Sequence, residues 1–354
     1  MGFDASEFKA CAKQGQSLVL SRTDSLGDVV LTLPLAGVLK AAYPGLQIIF
    51  LGTDYTRAVV DQCQHVDEFW TWNEVQRETA PQFRYRLETR RAFGVVHVFP
   101  RRQVANAFAR LGLPFRLGTS RRWYHWLTCT NRPALSRRHS DRHEAQLNID
   151  LMASMLPASS MQLSLTEIST CFGLRAPQLE RAWETKLATN RPIWIVHPLS
   201  KGSARNYPLD KWMRLVENLL TENQVVVTGT ESERQLLRPL LEAFGGRVVD
   251  AVGKLNLTQL LALIGRSTGL IAASTGPLHL AAALGRGAIG LYPPIRPVHP
   301  GRWGPLGPHA CAITSQEHCT ACTPSKGSCP CMNAISLENI GLAVNSINKK
   351  IKKI

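Results

Sequence analysis

Short apolar runs alternate with amphipathic stretches along the whole chain, which is the pattern of strands and helices that follow one another in an α/β fold. In the first half, the pattern predicts strands at residues 18–20, 47–51 and 95–99, and helices at 29–42, 54–62 and 104–111. Pro34 lies inside the first helical pattern, so that helix is expected to be kinked or to begin late. Apolar strands of this kind indicate a mostly parallel sheet covered on both faces.

The second half repeats this alternation after a stretch of different character. Residues 156–190 contain no clear strand–helix unit, and we interpret them as the connection between two domains. The alternation then resumes, with strands predicted at residues 193–196 and 224–228 and helices at 210–220 and 231–244. It continues through residues 248–250, 257–265, 269–273, 277–284 and 288–292. The simplest architecture is two doubly wound, Rossmann-like domains with a cleft between them, in which ligands bind beyond the carboxyl ends of the strands.

Domain limits follow from these patterns. We expect an N-terminal domain over residues 1–155, the connection over 156–190, a C-terminal domain over 191–332, and a C-terminal helix with a basic tail over 333–354. A chain of 354 residues is long enough for two cores. Because it has no run of 18 apolar residues and no apolar signal-peptide centre at its N-terminus, a cytoplasmic protein is expected.

The charge of the chain narrows the choice of partner. The formal net charge is +15, and residues 81–143 alone hold 14 arginines and no lysine against Glu88 and Asp141, a net charge of +12. Such a stretch favours an acidic partner, which is nucleic acid, a phosphorylated substrate or an anionic membrane surface. A solvated basic face is the alternative.

Residues 269–285, GLIAASTGPLHLAAALG, carry the strongest local signal for a ligand site. A strand is predicted to end at residue 273, where Ser274 and Thr275 are suited to cap the next helix and Pro277 suits its first turn. Gly276 would let a pyrophosphate approach the N–H groups of that helix. An ordinary capped helix is the alternative, and a lone histidine such as His279 is more often structural than functional.

Two further polar loops leave strands of the second half. HPLSKGSARNYPLDKW, residues 197–212, carries Lys201 and Arg205, whose charges can neutralise phosphate without a metal. TGTESER, residues 228–234, offers Glu231 or Glu233 to ribose hydroxyls, although an acidic residue there also suits a helix dipole. The chain has no GxGxxG after a strand and no GxxxxGK[ST], which argues against nicotinamide dehydrogenases and P-loop kinases.

Four stretches occur together in one order: RTDSLGDVVLTLPL, HPLSKGSARNYPLDKW, VVVTGTESE and STGPLHLAAALG. On these stretches the chain resembles the heptosyltransferases of lipopolysaccharide core synthesis, glycosyltransferase family 9, over nearly its whole length. The resemblance implies a GT-B fold, with an acidic glycolipid acceptor on the N-terminal domain and an ADP-heptose-like donor on the C-terminal domain. It also implies inversion at the anomeric carbon with no metal and no other cofactor.

The resemblance also implies roles for individual residues. The family's Gly-Asp pair falls on Gly27 and Asp28, which makes Asp28 the expected general base; an acid that only suits a helix dipole, at ~0.3–1 kcal/mol, is the alternative. The acceptor is expected at Gly27 and at Arg101 and Arg102, which follow the strand predicted to end at residue 99. The donor is expected at Ser200, Lys201, Arg205, Thr228, Gly229, Glu231, Ser274, Thr275, Gly276 and His279.

Three positions depart from the family's pattern. Ser274 stands where many members have aspartate, so this position keeps hydrogen bonding but loses a charge. Arg205 replaces the family's lysine and keeps the positive charge, and Tyr207 replaces a tryptophan. The donor sugar is therefore left open, and a nucleotide-sugar-binding protein with altered donor or lost transfer activity is an alternative function.

Aromatic residues within the basic stretch leave another class of protein open. Trp123, Tyr124 and Trp126 lie beside Arg121 and Arg122, and a basic nucleic-acid-binding protein needs such stacking side chains. The family motifs outweigh this reading, so no nucleic acid is expected. The same arginines suit peripheral contact with the inner face of the cytoplasmic membrane.

The nine cysteines are an odd number, and reduced thiols are the favoured interpretation. Four of them form a CxxC-x6-CxC pattern, at Cys319, Cys322, Cys329 and Cys331. Thiolates can hold zinc, but this segment is short and unlike common zinc ribbons. We expect no metal there, and a structural metal is the alternative.

Overall fold

The chain forms two compact units, Met1–Leu174 and Arg175–Ile354, and the boundary between them in sequence falls within residues 156–190. The structure is a computed structural model, and it describes residues 3–137, 140–200, 202, 204–295, 298–315 and 329–351. Every pairing between its strands is parallel. The α/β class expected from the apolar runs is confirmed in both units.

The sheet of the first unit has the strand order β3-β2-β1-β4-β5. The chain starts with the central strand β1, adds β2 and β3 on one side of it and then β4 and β5 on the other side. The strand order therefore reverses between β1 and β4. After a register shift between Ser17 and Leu18, these two strands pair from Leu18 with Gly94 to Ser21 with His97. The strands are β1 (Ser17–Ser21), β2 (Gln47–Gly52), β3 (Glu68–Thr71), β4 (Ala92–His97) and β5 (Phe115–Leu117).

Helices cover both faces of this sheet and bury large aromatic side chains against it. Trp70, Phe83 and Phe108 pack with Val19 and Val95 in one cluster. Two 3₁₀ turns, Asp54–Thr56 and Ala158–Gln162, accompany the helices. The helices are α1 (Ala5–Lys13), α2 (Leu26–Val30), α3 (Leu33–Ala42), α4 (Arg57–Val60), α5 (Trp72–Val75), α6 (Ala80–Thr89), α7 (Arg102–Arg110), α8 (His125–Thr128), α9 (Glu144–Asp150) and α10 (Leu165–Ser169).

The second unit repeats the plan with six strands in the order β11-β10-β9-β6-β7-β8. The order reverses between β6 and β9, which pair from Trp194 with Gly269 to His197 with Ala272. The strands are β6 (Ile193–His197), β7 (Gln224–Val227), β8 (Val249–Asp250), β9 (Gly269–Ala273), β10 (Gly287–Leu291) and β11 (Ala310–Ile313).

The C-terminal helix belongs to the core of this second unit. Its residues Ile340, Val344 and Ile347 pack in the same cluster as Trp194 and Trp212. Two 3₁₀ turns, Glu231–Glu233 and Gly245–Arg247, complete the unit. The helices are α11 (Arg181–Lys186), α12 (Leu209–Leu220), α13 (Arg234–Phe244), α14 (Leu257–Arg266), α15 (Gly276–Ala283), α16 (Pro300–Trp303), α17 (Pro330–Asn333) and α18 (Leu337–Ile351).

Several predicted boundaries are wrong by a few residues. The helical pattern over residues 29–42 is divided into two helices, α2 and α3, and the interruption expected at Pro34 is confirmed: Pro34 has no N–H to continue the first helix and lies in the first turn of the second. Strand β4 ends at His97 rather than residue 99, and α7 begins at Arg102. The short strands β3, β5 and β11 were not predicted, whereas β7, a strand of four residues, was predicted from its three consecutive valines.

Candidate functional site

The loop after β1 and the short helix α2 place Asp28 at the point where the first sheet reverses its strand order. Ser25 is the N-cap of α2 and Asp28 is its third residue. The Ser25 hydroxyl donates to one carboxylate oxygen of Asp28, and Arg22 Nη2 donates to the other. The Asp28 side chain remains 19% exposed, so its carboxylate is held in place and still reachable from solvent. Gly27, beside it, is half-buried.

Arg22 is the centre of a buried ionic cluster beneath Asp28. Its side chain is only 4% exposed. Besides Asp28 it contacts Asp24, with Nε 2.8 Å from Oδ1, and Glu144, with Nη1 3.3 Å from Oε1. Glu144 also forms an ion pair with Arg137. A buried guanidinium can bind several carboxylates at once through its fork of donors, so Arg22 joins the β1 loop to helix α9.

Asn148 fastens this cluster to the backbone that follows Asp28. Its side-chain amide donates to the carbonyl of Leu31 at 2.9 Å, and its oxygen accepts from Arg137 Nη2 at 2.9 Å. Thr32 Oγ1 donates to the backbone carbonyl of Asp28 at 2.8 Å. The position of Asp28 is therefore fixed by α3 and α9 as well as by its own loop.

Burial raises the pKa of Asp24 to about 6, with Arg22 opposing the rise and the negative charge of Asp28 adding to it. Asp24 therefore takes up a proton within about one pH unit of 6. Arg22 still has Asp28 and Glu144 as ionic partners when Asp24 is neutral. The charge that holds Asp28 in place does not depend on the protonation of Asp24.

Arg101 and Arg102 follow β4, the strand next to β1, so they come after the carboxyl end of β4 as the Asp28 loop comes after the carboxyl end of β1. Arg101 is the N-cap of α7 and lies 3.5 Å from Thr23 Oγ1, in the loop that leads to Asp28. Arg102 is the first residue of α7, and its guanidinium lies over the ring of Trp123 at 4.7 Å. The structure thus brings Arg101 to the Asp28 loop and directs Arg102 to an exposed tryptophan.

Ser200 forms hydrogen bonds with described residues of the loop after β6. Ser200 is buried, and its hydroxyl donates to Asn206 Oδ1 at 2.8 Å and accepts from the N–H of Ala204 at 3.3 Å. Arg205 is half-buried, while Lys201 lies outside the described residues. Tyr207 is a core residue, with its hydroxyl 3.2 Å from the carbonyl of Ile335.

The loop after β7 lies beside the one after β6. Thr228 is buried and its hydroxyl lies 3.0 Å from His197 Nδ1, which ties the ends of the two strands together. Burial lowers the pKa of His197 to about 4, so this imidazole is neutral at physiological pH. Gly229 follows, where a Cβ would come within 2.9 Å of Leu237. Glu231 lies in the following 3₁₀ turn, is exposed, and forms an ion pair with Arg234, the first residue of α13.

The loop after β9 lies on the other side of β6, at the reversal of the second sheet. Thr275 is the N-cap of α15, as predicted, but its buried hydroxyl has no hydrogen-bond partner among the described residues. The first-turn N–H groups are therefore not capped by this side chain. Ser274 forms a hydrogen bond with the hydroxyl of Tyr292. His279 is buried within α15, where it is 3% exposed.

The cysteine segment is described only in part. Cys319 and Cys322 lie outside the described residues, whereas Cys329 and Cys331 are buried in the core of the second unit. Within the described ranges, no cluster of histidine, cysteine, aspartate and glutamate has the arrangement of a metal site. In the same part of the chain, no helix combines the length and hydrophobicity needed to cross a bilayer.

Comparison with known proteins decides the family. The profile described as glycosyltransferase family 9 (heptosyltransferase) matches residues 102–332, which is more than half of the chain. The chain belongs to this family. It is accordingly a glycosyltransferase of the heptosyltransferase type, as the four ordered motifs indicated.

Relatives of this glycosyltransferase extend over nearly its whole length. A Haemophilus influenzae protein with a provisional assignment as a glycosyltransferase is 27% identical over 336 residues, which cover 92% of this chain and 94% of the relative. ADP-heptose LPS heptosyltransferase II of E. coli has a TM-score of 0.74 at 19% identity, covering 95% of this chain and 99% of that one. An E. coli heptosyltransferase solved with ADP has a TM-score of 0.69 at 17% identity, covering 94% and 100%. The GT-B fold is thereby confirmed.

Sequence reasoning missed the partners of Asp28. Arg22 lies within the quoted motif RTDSLGD, yet a single arginine before a loop carries no signal of burial. Glu144 offers a weak signal, since it begins an apolar helical stretch, EAQLNIDLMA, as a charged residue. Only the fold shows that these two side chains meet.

Proposed function

We propose that this glycosyltransferase moves a heptose, or a related sugar, from an ADP-sugar to an acceptor in the lipopolysaccharide inner core, with inversion and without a metal. The observation that carries the proposal is the carboxylate of Asp28, held by Arg22 and Ser25 at the reversal point of a parallel sheet and still partly exposed. In doubly wound domains this is the place where ligands bind.

Asp28 serves as the general base in this proposal. Its carboxylate takes the proton of the acceptor hydroxyl while the hydroxyl oxygen attacks the anomeric carbon of the donor. The bond from that carbon to the leaving diphosphate breaks on the opposite face, which inverts the configuration. Arg22 keeps the carboxylate oriented, and the proton ends on Asp28 before it passes to water.

The donor is proposed to lie at the reversal point of the second sheet. Helix α15 presents its N-terminus there, with a glycine as its first residue and no side-chain cap among the described residues, so its positive end suits the diphosphate. Arg205, and Lys201 from the sequence, supply further positive charge to the leaving group. The E. coli relative solved with ADP supports a nucleotide diphosphate as the ligand.

A second candidate function is nucleotide-sugar binding with an altered donor or without transfer. Ser274 favours it, because this serine supplies no charge and its side chain is bonded to Tyr292. An assay with ADP-heptose and a heptose-deficient lipopolysaccharide acceptor separates the two functions. Formation of the glycosylated product supports transfer, and ADP-sugar binding without product supports the alternative.

The donor site can be tested by replacing Gly276 with valine. A branched side chain at the first residue of α15 should block the approach of the diphosphate and weaken ADP binding about tenfold or more, as for one lost charge-assisted hydrogen bond. Gly341→Val in α18 is the matched control, since a Cβ there meets no atom within 4 Å. Calorimetry with ADP measures both, with and without EDTA. Unchanged affinity in Gly276→Val, or loss of wild-type binding in EDTA, would contradict the proposed site.

The acceptor site can be tested through Arg101 and Arg102. Their joint replacement by alanine should raise the acceptor KM about tenfold and weaken its dependence on salt, because arginine binds phosphate and carboxylate through charged hydrogen bonds that salt screens. The donor KM should hardly change. Arg238→Ala with Arg247→Ala is the control, as both side chains are more than half exposed in the other unit. Wild-type acceptor kinetics at every salt concentration would place the acceptor elsewhere.

A further inference from the structure

The segment 119–128 of the first unit exposes three large apolar side chains within five residues. Trp123 is 62% exposed, Trp126 is 61% exposed and Leu127 is 78% exposed. Among the described residues, every other tryptophan is buried or half-buried. An exposed apolar cluster of this kind typically marks an interaction site.

This segment is firmly held by the sheet below it. His125 is fully buried, its Nδ1 lies 2.8 Å from the carbonyl of Thr119, and its ring stacks on His97 at the end of β4 with centroids 5.7 Å apart. Gly118 leaves the room for it, since a Cβ there would come within 2.6 Å of the imidazole. Trp126 donates its indole N–H to the carbonyl of Ser120 at 3.0 Å. The apolar side chains are thus presented by an anchored segment.

Positive charge surrounds these side chains. Arg121 and Arg122 are exposed and precede Trp123 directly. Arg102 lies over the ring of Trp123 at 4.7 Å and Arg132 over the ring of Trp126 at 5.0 Å. The sequence has no acidic residue at all from residue 89 to residue 140. No acidic residue within this stretch of the chain therefore offsets the charge of these arginines.

We propose that Trp123, Trp126, Leu127, Arg121 and Arg122 form a docking surface for an anionic phospholipid bilayer. Tryptophan is enriched at the level of lipid headgroups, where its ring is half in hydrocarbon and half in water. The arginines pair with lipid phosphates at the level of the headgroups, while the apolar side chains beside them enter the bilayer. The most exposed of the three, Leu127, is the side chain that gains most from entering the acyl boundary.

Bilayer fits this surface better than nucleic acid does. A base stacks on an open aromatic face, and each exposed tryptophan has an arginine over one face of its ring, which leaves a base at most the other face. Leu127 has no face on which a base can stack, and burial in lipid is what stabilises an exposed leucine. The proposal concerns membrane contact and does not depend on sugar transfer or on any glycolipid.

Flotation with vesicles tests the docking surface in the full chain. Wild-type protein should bind vesicles of phosphatidylcholine with phosphatidylglycerol and bind pure phosphatidylcholine far more weakly. Arg121→Gln with Arg122→Gln should lower the partition coefficient on anionic vesicles about 30-fold, at roughly 1 kcal/mol for each cation. Trp126→Ala with Leu127→Ala should lower it about tenfold or more, while leaving in place Trp123, which contacts Arg102.

Tyr85→Ala with Leu236→Ala is the matched control, because these two side chains are 72% and 64% exposed at other places. The control should bind vesicles as the wild type does. Lipids brominated in the upper acyl chain provide a measurement on the unmodified protein, since they should quench its tryptophan fluorescence on binding. Equal binding to neutral and anionic vesicles, full binding by the Trp126/Leu127 variant, absence of quenching, or binding to mixed-sequence RNA without binding to vesicles would each overturn the proposal.

Discussion

Replacing Asp28 with asparagine is expected to lower kcat about 10²–10⁴-fold, the usual range for a lost general base. Asparagine keeps the size of the side chain, its Oδ1 can still accept from Arg22, and its Nδ2 can donate to the hydroxyl oxygen of Ser25, so the loop should keep its shape. ADP affinity should hardly change, because the donor is proposed to lie on the other unit. Steady-state kinetics together with ADP calorimetry measure both quantities.

Asp24→Asn is the matched control for this experiment. Asp24 contacts the same arginine, and its side chain is as exposed as that of Asp28, at 19%. If Asp28 is the base, Asp24→Asn should retain most of the activity, since Arg22 still has Asp28 and Glu144 as partners. Near-wild-type turnover by Asp28→Asn, or a greater loss in Asp24→Asn, would remove Asp28 from the proposed role.

Replacing Glu144 with alanine is expected to lower the free energy of unfolding of the first unit by about 3–5 kcal/mol. The Glu144 side chain is 1% exposed and lies between Arg22 and Arg137, with Arg22 itself 4% exposed. Removal of the carboxylate leaves buried positive charge that has lost a partner. Chemical denaturation followed by circular dichroism measures the change.

Glu222→Ala supplies the comparison, because Glu222 is an exposed glutamate of the second unit. It should change the free energy of unfolding by less than about 0.5 kcal/mol. Glu144→Gln, which keeps a hydrogen-bond acceptor but no charge, should fall between the two variants. An effect of Glu144→Ala no larger than that of the control would show that the buried ionic cluster does not stabilise the fold.

Much of the fold could be predicted because its strands are buried on both faces. Strands such as β1, β6 and β9 are fully buried, so each appears in the sequence as an uninterrupted apolar run. The short strands β3, β5 and β11 escaped prediction because they lack the run of valines that marks β7, which is no longer than β3 or β11. Their neighbours in the sheet, rather than their own sequence, make them strands.

The loops of the candidate site could be located from the sequence alone, whereas the contacts that hold them depend on tertiary packing. The loops around Asp28 and Gly276 were predicted because glycine, serine and aspartate after an apolar strand leave a local signal. The contact between Arg22 and Glu144 joins residues 122 positions apart. No local pattern specifies such a pair, because its stability comes from burial that only the packing of α9 on the first sheet provides.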